Sequence, residues 1–290
     1  MPVHEIRLVP QANLLVAAAG DGHLYLIDTN SGQTIRKIET GIPSLHALSV
    51  SRDGTLLATG GVTQLPADRA VPHIYSVETG RRLQQLPGQP TTIESLEFSA
   101  DGNWLAVGSR YENVQMIGLS GGQHRTLAAD RRHLWLSTSS DGRVLAVQKS
   151  SAQILLADLH PPFSENLLQL PMNSSYAAWL PKSRDLLSVS QEESTIRLFD
   201  TASGAVKCEF VAGQLQIEAF YVSEDGLLLL AGTNSGEVVA WRVPVPLPEL
   251  SKNGSAAAEV VQISPIGIWH LATSAVTSVA ATHASIYASS

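Results

Sequence analysis

The residues best suited to metal or nucleophilic chemistry in this chain are its nine histidines and its single cysteine. His4, His23, His46, His73, His124, His133, His160, His270 and His283 are scattered, and no two have zinc-ligand spacing. Each reads as a surface or turn residue. Cys208, in the strand-like segment VKCEF, excludes an internal disulfide and an all-cysteine zinc site. It reads as a packed thiol, because the sequence offers it no activating partner. Gly232-Thr-Asn-Ser-Gly236 sets its serine one place late for a nucleophile elbow and reads as a hairpin turn. Asp28, Asn30 and Glu39 fall at the first, third and twelfth places of a calcium loop, but Gly32 comes one place early for the sharp turn. That segment reads as a strand-to-strand turn like DTASG. No Walker loop or dinucleotide fingerprint occurs. The sequons at Asn173 and Asn253 carry little weight, because no secretory signal opens the chain. These observations assign no catalytic residue, no metal and no cofactor, and the chain is read as a non-enzyme.

The elements that would position any site come from a repeat. Asp53-Gly54, Asp101-Gly102, Asp141-Gly142 and Asp225-Gly226 each sit between two short apolar runs, as in SLEFSADGNWLAVGS. Two degenerate copies put Gln11-Ala12 and Ser183-Arg184 at the same place. The markers 11, 53, 101, 141, 183 and 225 are separated by 42, 48, 40, 42 and 42 residues. A weaker seventh copy, VTSVAATHASIYASS, ends the chain. Within most units, two more strand-like segments follow, joined by turns such as DTNSG and DTASG. Glycine there supplies the positive φ, and Asp or Asn caps the turn. Such a unit cannot bury both faces alone, and stacking copies around an axis solves that problem. The expected fold is an all-β β-propeller of four-stranded antiparallel blades, most simply seven with the last incomplete.

The expected blades run over 3–40, 45–87, 93–128, 133–171, 175–211 and 216–263, with a partial unit at 275–290, in a single domain over 1–290. The last unit holds two strands, so the array predicts either an irregular seventh blade or a piece of a longer propeller. Small residues in the first strands, Ala47, Ser49, Ser95, Ala177, Ala178, Ala219, Ser278 and Ala280, suit a tapered channel. Two insertions break the period, Gly61–His73 and Pro244–Ala258. Each reads as a surface loop with the option of contacting a partner.

GQPTTIESLEFSADG, from Gly88 to Gly102, resembles the opening signature of WD40 repeats, with Gln89 where the family histidine stands. STIRLFDTASG and HLYLIDTNSG are similar to the family's strand and Trp-Asp ending, with Phe199-Asp200 and Ile27-Asp28 in that place. No unit keeps a true Trp-Asp or Gly-His dipeptide. The family's interlocking polar network is therefore expected to be largely missing, leaving packing and turns to hold the blades.

The resemblance implies a non-catalytic interaction scaffold that binds peptides or proteins on one propeller face. That face carries the loops between blades and those between second and third strands. Its candidate contacts are Arg110, Tyr111, Arg131, Arg132, His133, Asn173, Tyr176, Glu192 and Glu193. Aromatic and arginine side chains lead because they anchor interfaces best. An alternative is a ligand-binding or enzymatic propeller with its site at the channel mouth, but the first strands read as mostly apolar or small. The net charge of −7 argues against nucleic-acid partners, and no apolar run is long enough for a membrane helix. The expected location is cytoplasmic, with the nucleus open.

Overall fold

A computed structural model describes residues 2–63, 69–109, 112–127, 136–150, 152–159, 164–170, 176–190, 194–223, 225–248, 260–270, 275–276, 278–281 and 286–289. Its strands follow the repeat. Blade one is β1 (Val3–Leu8), β2 (Leu14–Ala19), β3 (His23–Asp28) and β4 (Thr34–Glu39). Blade two is β5 (Leu45–Val50), β6 (Leu56–Gly61), β7 (His73–Ser76) and β8 (Arg82–Gln85). Blade three is β9 (Ile93–Phe98), β10 (Trp104–Ser109), β11 (Val114–Gly118) and β12 (His124–Leu127). Blade four is β13 (Leu136–Thr138), β14 (Val144–Ser150), β15 (Gln153–Asp158) and β16 (Glu165–Gln169). Blade five is β17 (Tyr176–Trp179), β18 (Asp185–Ser190), β19 (Thr195–Asp200) and β20 (Val206–Val211). Blade six begins with β21 (Ile217–Val222), β22 (Leu228–Thr233) and β23 (Glu237–Arg242).

The strand that follows does not complete blade six. β24 (Val261–Ile263) crosses to blade five and pairs in parallel with β20, Cys208 opposite Val261 and Phe210 opposite Ile263. β25 (Gly267–His270) then returns to β23 as the outer strand of blade six. A two-stranded sheet, β26 (Ser278–Ala281) and β27 (Ile286–Ser289), fills the seventh place. β26 packs against β1 on one side and β21 and β22 on the other. The described strands therefore make six blades of at least four strands and one of two.

The Asp-Gly frame works as a hydrogen-bonded knot. In blade two the Ser51 hydroxyl donates to Asp53 at 2.6 Å and accepts from the Leu56 N–H at 2.9 Å. Asp53 also accepts the Thr55 N–H at 3.0 Å, and Gly54 takes φ +71°. The Ser51 hydroxyl, then the Thr55 N–H, hold the Asp53 carboxyl below its ordinary range. The same geometry recurs at Ser99/Asp101, Ser139/Asp141 and Ser223/Asp225. The two degenerate copies use another turn. Val9-Pro10-Gln11-Ala12 and Leu180-Pro181-Lys182-Ser183 put proline second and a positive φ third, +58° at Gln11 and +61° at Lys182. Each closes through the fourth residue's N–H on the first residue's carbonyl. That is the type II pattern, with a non-glycine residue in the strained place.

The core lies between blades. Val16, Leu24 and Leu26 of blade one meet Leu45, Leu48 and Leu57 of blade two, and equivalent clusters fill the interfaces as far as blade six. Cys208 is buried in the cluster between blades five and six, and burial lifts its thiol to about 12. Between blade six and the seventh unit, Val276 is fully buried against Leu230, Val238 and Ala240. Glycine at 232 is obligatory there, since an added Cβ would stand 2.5 Å from Val276 Cγ1.

Candidate functional site: channel and upper face

First strands lie innermost, so their side chains alternate between channel and interface. Charged residues occupy the channel side. Glu5 on β1 accepts the Leu48 N–H of β5 at 2.6 Å and pairs with Arg7 two residues along. Glu97 on β9 accepts the Thr138 N–H of β13 at 3.2 Å. Burial raises the Glu97 carboxyl to about 7; Arg7 and the Thr138 N–H oppose the rise, and Glu5 adds to it. Arg7 and Glu97 stand two blades apart in sequence, so their mutual influence places both at the axis. Burial also raises Glu5, against Arg7 and the Leu48 N–H. Ser49 accepts the Phe98 N–H at 3.1 Å, and Ser137 accepts the Trp179 N–H at 3.4 Å.

Ser49, Glu97 and Ser137 hold the same place in their units, two residues before the first residue of the marker turn. Each reaches the next blade's first strand. The expectation of an apolar or small channel lining is therefore corrected at Glu5, Arg7 and Glu97. The available signal was a charged residue inside HEIRL and SLEF, in phase with the serines.

At the upper face, where first strands begin and second strands end, four first strands carry a β-bulge at one position. The extra residues are His4, His46, Glu94 and Glu218, seen as register shifts against β2, β6, β10 and β22. Bulges re-aim side chains. Here they set titratable groups at the channel rim, and the His4 and His46 rings lie 4.7 Å apart.

A recess of about 540 Å³ opens on the same face between blades one and two. Its walls are the β4–β5 connection Thr40–Pro43, the β6 exit Gly61–Thr63, Arg69–Val71, and His73, Arg82 and Gln85. His73 is only 5% exposed, which corrects its reading as a surface residue. Gln85 Nε2 lies 3.1 Å from His73 Nε2, and the Tyr75 hydroxyl lies 3.2 Å from Nδ1. An amide nitrogen only donates, so Nε2 accepts and the proton sits on Nδ1. The Tyr75 hydroxyl donates on to the Thr40 carbonyl at 3.5 Å. Burial, then the Arg82 cation, keep His73 below its ordinary pKa against the Thr40 carbonyl.

Blade one has its own network: Tyr25 donates to Asp21 at 2.7 Å, and the Lys37 ammonium stands 5.1 Å from the Tyr25 ring centre. Blade six uses Thr233 donating to Glu237 at 2.7 Å. Polar networks thus persist in these blades, built from different residues in each. Packing and turns do not hold the blades alone.

Of the contacts expected from sequence, Arg110, Tyr111, Arg131, Arg132, His133, Asn173, Glu192 and Glu193 lie outside the described residues. Tyr176 opens β17, but its side chain lies outside the description. So do residues 64–68 and 249–258 of the two insertions. Among the described residues, no group of three His, Cys, Asp or Glu could hold a metal ion.

A ring of antiparallel blades with repeated Ser-Asp-Gly turns defines a β-propeller scaffold. The WD domain, G-beta repeat family matches residues 80–116, across the third-blade stretch that carries the sequence resemblance. The blade architecture is that of a β-propeller, and the match places one WD repeat within it. It is also similar to the Target of rapamycin complex subunit wat1 of Schizosaccharomyces pombe, 22% identical over 244 residues. The match covers 82% of this chain and 62% of that relative's length.

Proposed function

We propose that this chain is a non-catalytic scaffold, a subunit that docks protein or peptide partners on the upper face of the propeller. The observation that carries the reading is the upper face itself. It gathers the channel rim, the bulged His4, His46, Glu94 and Glu218, and the recess beside His73 onto a ring held by buried inter-blade clusters. A relative named as a subunit of a complex supports it. The channel carboxylates favour the same reading over catalysis, because Glu5 and Glu97 are engaged with neighbouring backbone N–H groups. A cytoplasmic location, with the nucleus left open, belongs to the proposal.

Affinity capture from the native cell tests it. The double variant Arg131→Glu/Arg132→Glu and the rim variant His46→Glu are expected to lose partners. Arg52→Glu, on a marker turn at the opposite face, and Arg184→Glu, just after another, are expected to keep them. Identical partner sets from all four would sink the reading.

A further inference from the structure

The recess between blades one and two has a charge pattern opposite to that of the whole chain. The protein carries a net charge of −7, yet the recess is lined by Arg69, Arg82, His73 and Gln85, with no carboxylate among its described lining residues. Arg69 uses its Nε on the Gly88 carbonyl at 2.8 Å. The Arg82 cation stands near enough to Tyr75 to oppose the rise that burial gives its hydroxyl. Among the described residues neither arginine makes an ion pair, in contrast to Arg125–Glu165, Arg197–Glu209 and Lys207–Asp185. The floor is pre-organised: His73 has both ring nitrogens committed, and Thr40 donates to the Gly22 carbonyl at 2.6 Å. Gly61 cannot take a side chain, since an added Cβ would lie 1.9 Å from the Ser44 carbonyl oxygen. Closely packed backbone therefore flanks two guanidinium groups that have no carboxylate partner among the described residues, in a space larger than a single ion needs. Guanidinium forks match carboxylates in geometry and charge.

We infer that this recess binds an acidic segment of a protein partner, one carboxylate side chain seating between Arg69 and Arg82 with the peptide running across the upper face. The inference rests on the scaffold reading and names the partner chemistry of one part of that face.

The test uses the purified full chain and a fluorescent hexaglutamate peptide, read by anisotropy at two salt concentrations. Saturable binding that weakens at higher salt is expected. Arg69→Glu and Arg82→Glu should each weaken it at least tenfold, and Arg184→Glu, the same charge change at the opposite face, should leave it unchanged. Because Arg82 lies beside the buried Tyr75, the exposed Arg69→Glu keeps the test valid if Arg82→Glu misfolds. Absence of binding, or an equal loss in Arg184→Glu, overturns the inference. So does binding of inorganic phosphate without binding of the peptide. If the peptide fails while partner capture still depends on the upper face, the recess assignment alone falls.

Discussion

Two arcs of the ring are closed by different physics. From blade two to blade five, first strands are joined by side chains at one repeated position, Ser49 to Phe98, Glu97 to Thr138 and Ser137 to Trp179. From blade six through the seventh unit to blade one, the described closure is mainly apolar, with one backbone bond from the Val276 N–H to the Thr233 carbonyl at 2.8 Å. Val276 seats over Gly232, and Tyr221 packs against both the blade-six cluster and Ile6, Leu15 and Ala17 of blade one. Hydrogen bonds are directional, so the first arc fixes the angle and register of each blade. Apolar burial is not directional, so the second arc tolerates an irregular two-stranded member as long as volume is filled. A propeller can therefore keep its regularity where register is latched and place its irregular unit where packing carries most of the described closure.

Variants can break this contrast at graded strength. Gly232→Val puts a branched side chain where even Cβ meets Val276 at 2.5 Å. It should destabilise by about 3 kcal/mol in urea unfolding, the largest effect of the set. Glu97 comes next. Its folded pKa, about 7, lies above the ordinary 4.5. Its contribution is fully present below pH ~4.5 and lost as pH rises through ~7. Glu97→Gln keeps an acceptor for Thr138 and removes the buried charge. It should be more stable than the parent at pH 8 by on the order of 2 kcal/mol, after discounting for channel water, and equal to it at pH 4.5.

His73 works with the opposite sign. Its folded pKa is lowered, so its contribution is lost as pH falls below ~6.5, and His73→Gln should flatten the acid limb of a melting-temperature profile. Ser49→Ala leaves the Phe98 N–H without its acceptor and should cost about 1.5 kcal/mol, with no comparable cost on the apolar arc. The smallest effect is a gain. Lys182→Gly relieves a left-handed backbone at φ +61° and should add up to ~1 kcal/mol, outside both arcs' closing contacts.

The period and the four-strand layout were legible because Ser-x-Asp-Gly is both a sequence pattern and a closed set of hydrogen bonds. The substituted turns also had a readable signature, since Val-Pro-Gln-Ala and Leu-Pro-Lys-Ser carry proline just before the positive φ. The channel charges were harder to see. Glu97 looks like an interruption of an apolar strand until its partner, a backbone N–H in the next blade, is known. His73 was missed for a related reason: its partners Tyr75 and Gln85 are cross-strand neighbours, and nothing in a lone histidine announces burial. The crossing of β24 to blade five leaves no local trace, because parallel pairing with β20 joins segments far apart in the chain.

That crossing bears on how the protein is made. Blade five is complete in its own four strands when Val211 has been synthesised, but its outer edge waits for Val261 to cover it. About fifty residues separate the two, and at ~5–20 residues per second the edge of β20 stays open for roughly 3–10 s of translation. An open strand edge invites pairing with other chains. The late return of β24 sets a clock on the nascent chain, and synonymous slow codons between the two strands would lengthen the interval in which it can aggregate.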